Sequence, residues 1–588
     1  MVSRPRRLRR RRSAGTAPVS ETACAPPPTT LRDSERRGSA VGRRRLDPCL
    51  IGILLLSVGL NAWQLTWGLP NGNLSWAADG IGPVTALGVL RRTFAGFNSG
   101  WFYFKYPPGW PFLMVAAFAP YLAGLYLTGG WRHPSSQYPY GFSDPEHTLF
   151  VLAMIGRLLA LAFGVGLTAL AYGIGNRLYD RATARWAAFF TATAYPLVYY
   201  AHTTNLDISY CFWLVLALYA AIVARSTTRA WPWATLGVAA AMALATKEQG
   251  FAWLLPLPLM VWAARVRLDG WRALWARPTW VMVGAGLLTL LLANNGLINP
   301  LGFAGRIAYL LGRPLSHVEA RLAPVEFALW KGAKEWVYVE QLWNGLSSSL
   351  GLPLLALAAL GLLLSWRRPV SAWWLLTPSL ALYYLSLRGL ELIALRYLLP
   401  VTVVACVWIA VAVAQLMESA RHGLPRAAAL ALVGAMAALA LGRAIEIDWL
   451  LATDARYQAE TWMAAHLPPG AHAEVYQKPA FLPRFRAAVT ATYIPIEQRT
   501  LGGLAERQPQ AIVTSSASYK SIDQVWAPDW RETRTLLKPD AAAGEFLAAL
   551  EAGRLPYRVA AVFRQQPRLL TNRITSVAPE IRIYVRNP

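Results

Sequence analysis

Nine ionisable side chains stand where apolar runs of this chain begin or end: Asp79, Lys105, His202, Asp207, Lys247, Glu248, Arg388, Glu391 and Arg396. Charge in such places is costly unless it is paired or used. Two carboxylates, Asp79 and Asp207, among several cations suit one kind of chemistry on a phosphate-bearing lipid. A carboxylate takes a proton from an attacking hydroxyl, and cations hold the phosphate as it leaves. Each residue also has a plain structural role open to it. Asp79 suits the N-cap of an amphipathic helix carrying Ile81, Val84, Leu87, Leu90 and Phe94, and Asp207 or His202 that of a helix at 207–224. Lys105, set before Tyr106, Pro107 and Pro108, could snorkel to head groups. Lys247 and Glu248 could pair with each other, and Arg396 could anchor a span. His133 and His147 lack ligand spacing and read as surface residues. That all nine fall on one face favours function.

The elements that must hold these residues are membrane spans. The chain has 588 residues, 55% hydrophobic and 15% charged, a composition that excludes an ordinary soluble enzyme. Apolar blocks near 50–69, 155–175, 184–201, 207–224, 231–246, 250–264, 279–297, 348–366, 370–387, 396–416 and 426–444 predict about eleven transmembrane helices, each near the roughly 20 residues a bilayer core requires. Arginine clusters at 177–185, 225–229, 265–277, 367–368 and 421–426 mark the cytoplasmic loops, and tryptophans gather near span ends. The run 110–129 would invert every later loop if it crossed, and Pro111 and Pro120 interrupt it. It reads as a pair of interfacial or re-entrant helices within a first outer loop, 70–153.

Thirteen arginines against four acids give residues 1–48 about +9 of the formal +26. With few large apolar residues, this reads as a disordered, basic cytoplasmic tail. The segment 52–59 resembles a signal h-region, but the long basic lead makes an uncleaved anchor the better reading. The remaining charge lies largely in short loops, and no nucleic-acid reader motif accompanies it, so no nucleic-acid partner is expected. Four cysteines, none after residue 406, provide no disulfide framework for the last part of the chain. Residues 49–445 thus form a membrane domain. Residues 446–588, nearly balanced in charge, alternate helix-like runs (TWMAAHL, GEFLAALEAG) with β-like runs (AIVTSS, YRVAAVF, IRIYV). They predict a small α/β domain on the outer, periplasmic face, with no nucleotide-binding glycine fingerprint.

Several stretches carry a resemblance: AADGIGP (77–83), KYPP (105–108), RLLALAFGVGLTALAYGIGNRLYDRATARWAA (157–188), YYAHTTNLD (199–207), ATKEQG (245–250), RYLLP (396–400) and the tail segments 454–471, 546–563 and 576–588. Together they resemble membrane glycosyltransferases of the GT-C class, family 39-like and lipid A aminoarabinose transferase-like. The resemblance covers nearly everything after residue 48. It implies a multi-pass protein of a bacterial-type inner membrane, with an interfacial first loop. It also implies a polyprenyl-phosphate-linked sugar donor such as an undecaprenyl phosphate sugar, and an envelope acceptor that is a lipid, glycan or protein.

By the same resemblance Asp79 and Asp207 are the catalytic acids, and Lys105 and Arg396 contact the donor phosphate. His202, Lys247 and Glu248 are candidate substrate contacts. Asp79 is followed by Gly80 where many members of the family have a second acid. This weakens the case for a metal bridging two first-loop acids, although Asp79 with Asp207 or Glu248 could still bind one hard divalent ion through oxygen ligands; no other cofactor is implied. A transporter or flippase would show inverted repeats and charges near mid-span, and neither is evident. A non-catalytic envelope scaffold would use 446–588 alone.

Overall fold

The computed structural model describes residues 47–587 apart from 78, 95–105, 311–334, 367–369, 388–392, 421–424, 486–488, 496–497, 517–540, 571–573 and 575. Lys105, Arg388, Glu391, Arg367, Arg368, Arg421 and nearly all of the basic tail lie outside the described residues. The first helices are α1 (Pro48–Ala62), α2 (Pro83–Phe94), α3 (Gly109–Leu127) and α4 (Pro145–Leu178). There follow α5 (Arg181–Ala192), α6 (Tyr195–Ala201), α7 (Leu206–Ala224), α8 (Ala230–Thr246) and α9 (Glu248–Asp269, in short pieces). Next come α10 (Arg277–Ala293), α11 (Pro300–Leu310), α12 (Glu335–Leu350), α13 (Leu352–Trp366), α14 (Val370–Leu387), α15 (Leu399–Ser419) and α16 (Arg426–Ala452).

Seven of the described helices are long and apolar enough to cross a membrane, or eight if α12 and α13 form one bent span. The protein is a polytopic helical membrane protein, and each of the eleven apolar blocks read from the sequence overlaps helix, although 63–69 and 294–297 lie beyond the helix ends. Two blocks differ from expectation. The 184–201 block is broken into α5 and α6 at Thr193 and Ala194, where Pro196 opens the second helix. The α12–α13 pair bends by 105° at Gly351, whose φ of +80° suits glycine. Backbones elsewhere approach closely through small residues. A side chain at Gly237 would strike the Met282 carbonyl of α10, and one at Gly361 the Trp408 carbonyl of α15.

The apolar run 110–129 forms one continuous helix rather than a pair, with Pro120 accommodated inside it. Its first turn meets the Ala245 carbonyl at the end of α8, and the Trp110 indole donates to the Thr204 carbonyl at 2.9 Å. Further along, Met114 and Phe118 lie against Gly156, which also meets Thr204. Gly156 is eleven residues into the 34-residue α4, so α4 extends about 16 Å beyond that level at 1.5 Å per residue. Helix α3 packs against α4 and is itself one of the seven helices long and apolar enough to cross.

Beyond α16 the chain forms a small α/β domain. Helix α16 runs unbroken from Arg426 to Ala452. It contains α17 (Ala455–His466), β1 (Ala471–Val475), β2 (Val489–Tyr493), α18 (Leu501–Arg507), β3 (Ala511–Ser515), α19 (Ala541–Glu551), β4 (Tyr557–Phe563) and β5 (Ile581–Arg586). The sheet order is β2-β1-β3-β5-β4, parallel across β2, β1 and β3 and antiparallel at β5 and β4. Alternation along the strands divides the core. Ala511, Val513, Ile581 and Ile583 face α17, while Ile512 and Tyr584 join Leu504, Phe546 and Leu550 on the other side.

Candidate active site

Four segments meet at the end of the bundle that carries Thr204. Helix α7 begins there because Asn205 caps it, accepting from the Asp207 amide at 2.7 Å. Asp207 itself is therefore not the cap; it sits in the first turn with its carboxylate free to face inward. Helix α8 ends there at Lys247. Helix α15 is entered through a tight turn, Leu395–Leu398, that presents Arg396 and Tyr397. The loop after α1 supplies Asp79. The cap of α2 comes from Asn73, whose Oδ1 accepts from the Val84 amide at 2.6 Å, so Asp79 is released from that role too.

The four charges form a chain. Lys247 Nζ donates to Asp207 Oδ1 at 2.7 Å, with both side chains only 3% exposed. Arg396 Nε lies 3.6 Å from Asp207 Oδ2, and the same guanidinium donates through Nη1 to Asp79. Tyr397 lies against both cations, its ring centre 4.1 Å from Lys247 Nζ and 5.2 Å from the Arg396 guanidinium. Exposure separates the acids, because Asp79 is 58% exposed whereas Asp207 is closed off. Tyr106 joins the group. Burial, then neighbouring Tyr397, Asp207 and Asp79, push its hydroxyl up to about 12 against the pull of Arg396. It stays a neutral donor throughout the physiological range.

The other expected site residues are placed differently. His202 is fully buried, with Nδ1 2.7 Å from the Val198 carbonyl oxygen and Nε2 2.5 Å from that of Trp63. Asp448 lies 3.6 Å from Nε2. The ring fastens α6 to the end of α1. Glu248 turns to Arg306 of α11, with Arg306 Nε 2.7 Å from Oε1, and makes no pair with Lys247. Asp79, Asp207 and Glu248 thus each face a cation. No group of three or more His, Cys, Asp or Glu side chains among the described residues is arranged to hold a metal ion. The donor set does not fit a metal bridging these acids.

Sequence reasoning missed Tyr397, Asn73 and Asn205, and two arginines that shape the surroundings. Arg157, 1% exposed within α4, donates to the Leu65 carbonyl at 2.5 Å and the Trp67 carbonyl at 2.7 Å, fixing the chain as it leaves α1. An arginine inside an apolar run was the available signal, since such a charge must find acceptors. Arg306, the one charged residue of the apolar run PLGFAGRIAYL, carried the same signal.

No protein-family model matches this chain, and no curated protein matches its sequence. Among solved structures, the chain is similar to the archaeal oligosaccharyltransferase AglB from Archaeoglobus fulgidus, in complex with an inhibitory peptide and a dolichol-phosphate. The identity is 12% over 91% of this chain and 88% of that one, with a TM-score of 0.43. It is also similar to ArnT from Cupriavidus metallidurans in the apo state, at 13% identity over 91% and 97% of the two chains and a TM-score of 0.43. At these identities and TM-scores the likeness assigns no activity and no residue.

Proposed function

We propose that the protein is a membrane glycosyltransferase that moves a sugar from a polyprenyl-phosphate donor to an acceptor at the outer face of a bacterial-type inner membrane. The observation that carries this reading is the exposed Asp79 tied to an arginine that it shares with the buried Asp207–Lys247 pair, all at one end of an apolar bundle. The sequence resemblance to family 39-like and aminoarabinose transferase-like enzymes supports it. On this reading the N-terminus is cytoplasmic and the C-terminal domain periplasmic, because α4, α7 and α8 carry Arg177, Arg225 and Arg229 at the ends away from the site.

The reaction is an inverting displacement. An acceptor hydroxyl gives its proton to Asp79 as its oxygen bonds to the anomeric carbon of the sugar. The bond from that carbon to the phosphate oxygen breaks, and polyprenyl phosphate leaves with the electron pair. Arg396, with Lys105 as a second phosphate contact, stabilises the charge that develops on the leaving group. Arg396 has two claimants. A donor phosphate competes with Asp79 for the guanidinium and frees an Asp79 oxygen to accept the proton. Donor binding thereby prepares the base. Lys247 holds Asp207 in place beneath, and Tyr397 shields both cations from water.

The test is transfer from a panel of polyprenyl-phosphate sugars by purified protein, wild type against Asp79→Asn. Asp79→Asn is expected to lower kcat by about 10²–10⁴-fold, the usual worth of a positioned base, while decaprenyl phosphate still binds. Transfer at the wild-type rate by the variant would remove Asp79 from the reaction.

A further inference from the structure

The mechanism places Asp79 on an exposed loop, where a base would be poorly fixed. Three residues before it, Trp76 is fully buried, and what buries it comes largely from the far end of the sequence. The Arg456 guanidinium lies 4.2 Å from the indole centre, and the Arg484 guanidinium 5.2 Å. Tyr457 meets the same ring at 4.7 Å, edge to face, and Trp67 packs at 6.2 Å. The indole N–H itself meets no acceptor among the described residues. Trp76 is thus held by its surroundings of rings and cations.

Both arginines are themselves locked. Arg456 donates to Asp454 and to the Ala480 and Ser576 carbonyls at 2.6 and 2.7 Å, all within the C-terminal domain. Asp454, which caps α17, also accepts from the Trp67 indole at 3.0 Å. Arg484 forks onto Glu460 at 2.8 and 2.7 Å and reaches across to the Leu69 carbonyl at 2.8 Å. The Gly68 amide donates to the Tyr457 hydroxyl at 3.1 Å. The segment 67–76 is therefore gripped at both ends by one face of the α/β domain, and Asp79 follows directly.

We propose that the C-terminal domain positions the catalytic carboxylate, with Arg484 and Arg456 as positioning residues that act through Trp76 on the loop carrying Asp79. This inference rests on the transferase reading for its chemistry but not for its geometry. Neither arginine touches Asp79 or Arg396. Their effect travels through three residues of backbone, ending in the turn where the Gly80 amide donates to the Ala77 carbonyl and the Ile81 amide to Thr204.

The experiment compares full-length wild type with Arg484→Ala, Arg484→Lys and Trp76→Ala by hydrogen–deuterium exchange and by transfer kinetics. The exchange of residues 70–84 reads the loop, through the amides of Leu74, Gly80, Ile81 and Val84. The exchange of β1 and β3 reads the domain. In Arg484→Ala and Trp76→Ala the loop is expected to exchange about tenfold faster while the sheet is unchanged, the mark of a local opening. Transfer then falls in kcat by about 10²-fold, as expected for a misplaced base, with KM for the donor near wild type and partial rescue by Arg484→Lys. Unchanged loop exchange overturns the proposal. So does equal loosening of sheet and loop in both alanine variants, which reduces the contact to general fold stability, or a faster loop with wild-type kcat. The exchange result stands even for a protein that transfers no sugar, whereas normal transfer by Asp79→Asn defeats the assigned base without touching the grip.

Discussion

The two ends of the helical bundle both hold carboxylates among arginines, and they are built on opposite plans. At one end Asp47 caps α1 through the Cys49 amide and accepts from Tyr172, from Arg181 and twice from Arg185, all within 3.2 Å. A carboxylate has about four acceptor sites, so fixed donors fill Asp47 completely. At the other end Asp79 is open to solvent and, among the described residues, pairs with one arginine, which it shares with Asp207. A saturated carboxylate is a fastening. One that shares its cation leaves room for a competitor, and a phosphate is the strongest ordinary competitor for a guanidinium. What tells the two carboxylates apart is the arrangement of the donors around them.

The sharpest break in this comparison is the pair of matched substitutions, Asp79→Asn and Asp47→Asn. The first removes transfer on the scale given above; the second leaves kcat at its wild-type value. Next in size is Arg396→Gln, expected to lower kcat by about 10²–10³-fold, the cost of losing one preorganised donor to a developing charge. If Arg396 serves only to restrain Asp79, this variant keeps its affinity for decaprenyl phosphate. Loss of that affinity along with kcat is the expected result.

Lys247→Met separates support from chemistry. It leaves Asp207 buried with its nearest counter-charge gone, at a cost of about 3–5 kcal/mol. Adding Asp207→Asn in the same chain removes the stranded charge and should recover much of that loss without recovering transfer. Thermal unfolding of the two variants in detergent measures the coupling between them. Strictly additive losses would mean that the pair does not act as one unit.

Much of this architecture can be read along the chain, because hydropathy over about 20 residues is a local property. The eleven apolar blocks, the arginine-marked ends and the mixed strand and helix runs of the last part are all of that kind. Asp79, Asp207, Lys247 and Arg396 could be gathered as rim residues for the same reason. What could not be read is which rim residues face each other. Glu248 is next to Lys247 in sequence, yet the two are committed to Arg306 and Asp207 respectively. His202 looks like its neighbours on the rim, but the fold around it turns both ring nitrogens onto carbonyls. The course of α3 alongside α4 is likewise set by packing, whereas the break between α5 and α6 falls just before Pro196, a signal that was present in the sequence. Tyr397 was the nearest miss. It adjoins Arg396 in the RYLLP stretch, and an aromatic beside a rim cation is a legible hint of a shielded charge.

The smallest expected effect belongs to the saturated end and depends on pH. The hydrogen bonds from Arg185 come first among the influences on Asp47; with those of Arg181, Tyr172 and Cys49 they outweigh burial and hold its carboxyl below the usual carboxylate range. A carboxyl whose pKa is lower folded than unfolded stabilises the fold above the unfolded value, about 3.9. That contribution shrinks as the pH falls through the unfolded value toward the folded one. Asp47→Asn should therefore be less stable than wild type at pH 7, and the gap should close on acidification. The gap is modest because Arg181 and Arg185 are 56% and 40% exposed, so water screens much of the attraction. Melting temperatures of both proteins between pH 7 and pH 3 provide the check, and only their difference matters, since other acids titrate in both. Parallel curves would mean that the knot at Asp47 carries no charge-dependent stability. The contrast between the two ends would then rest on hydrogen-bond geometry alone.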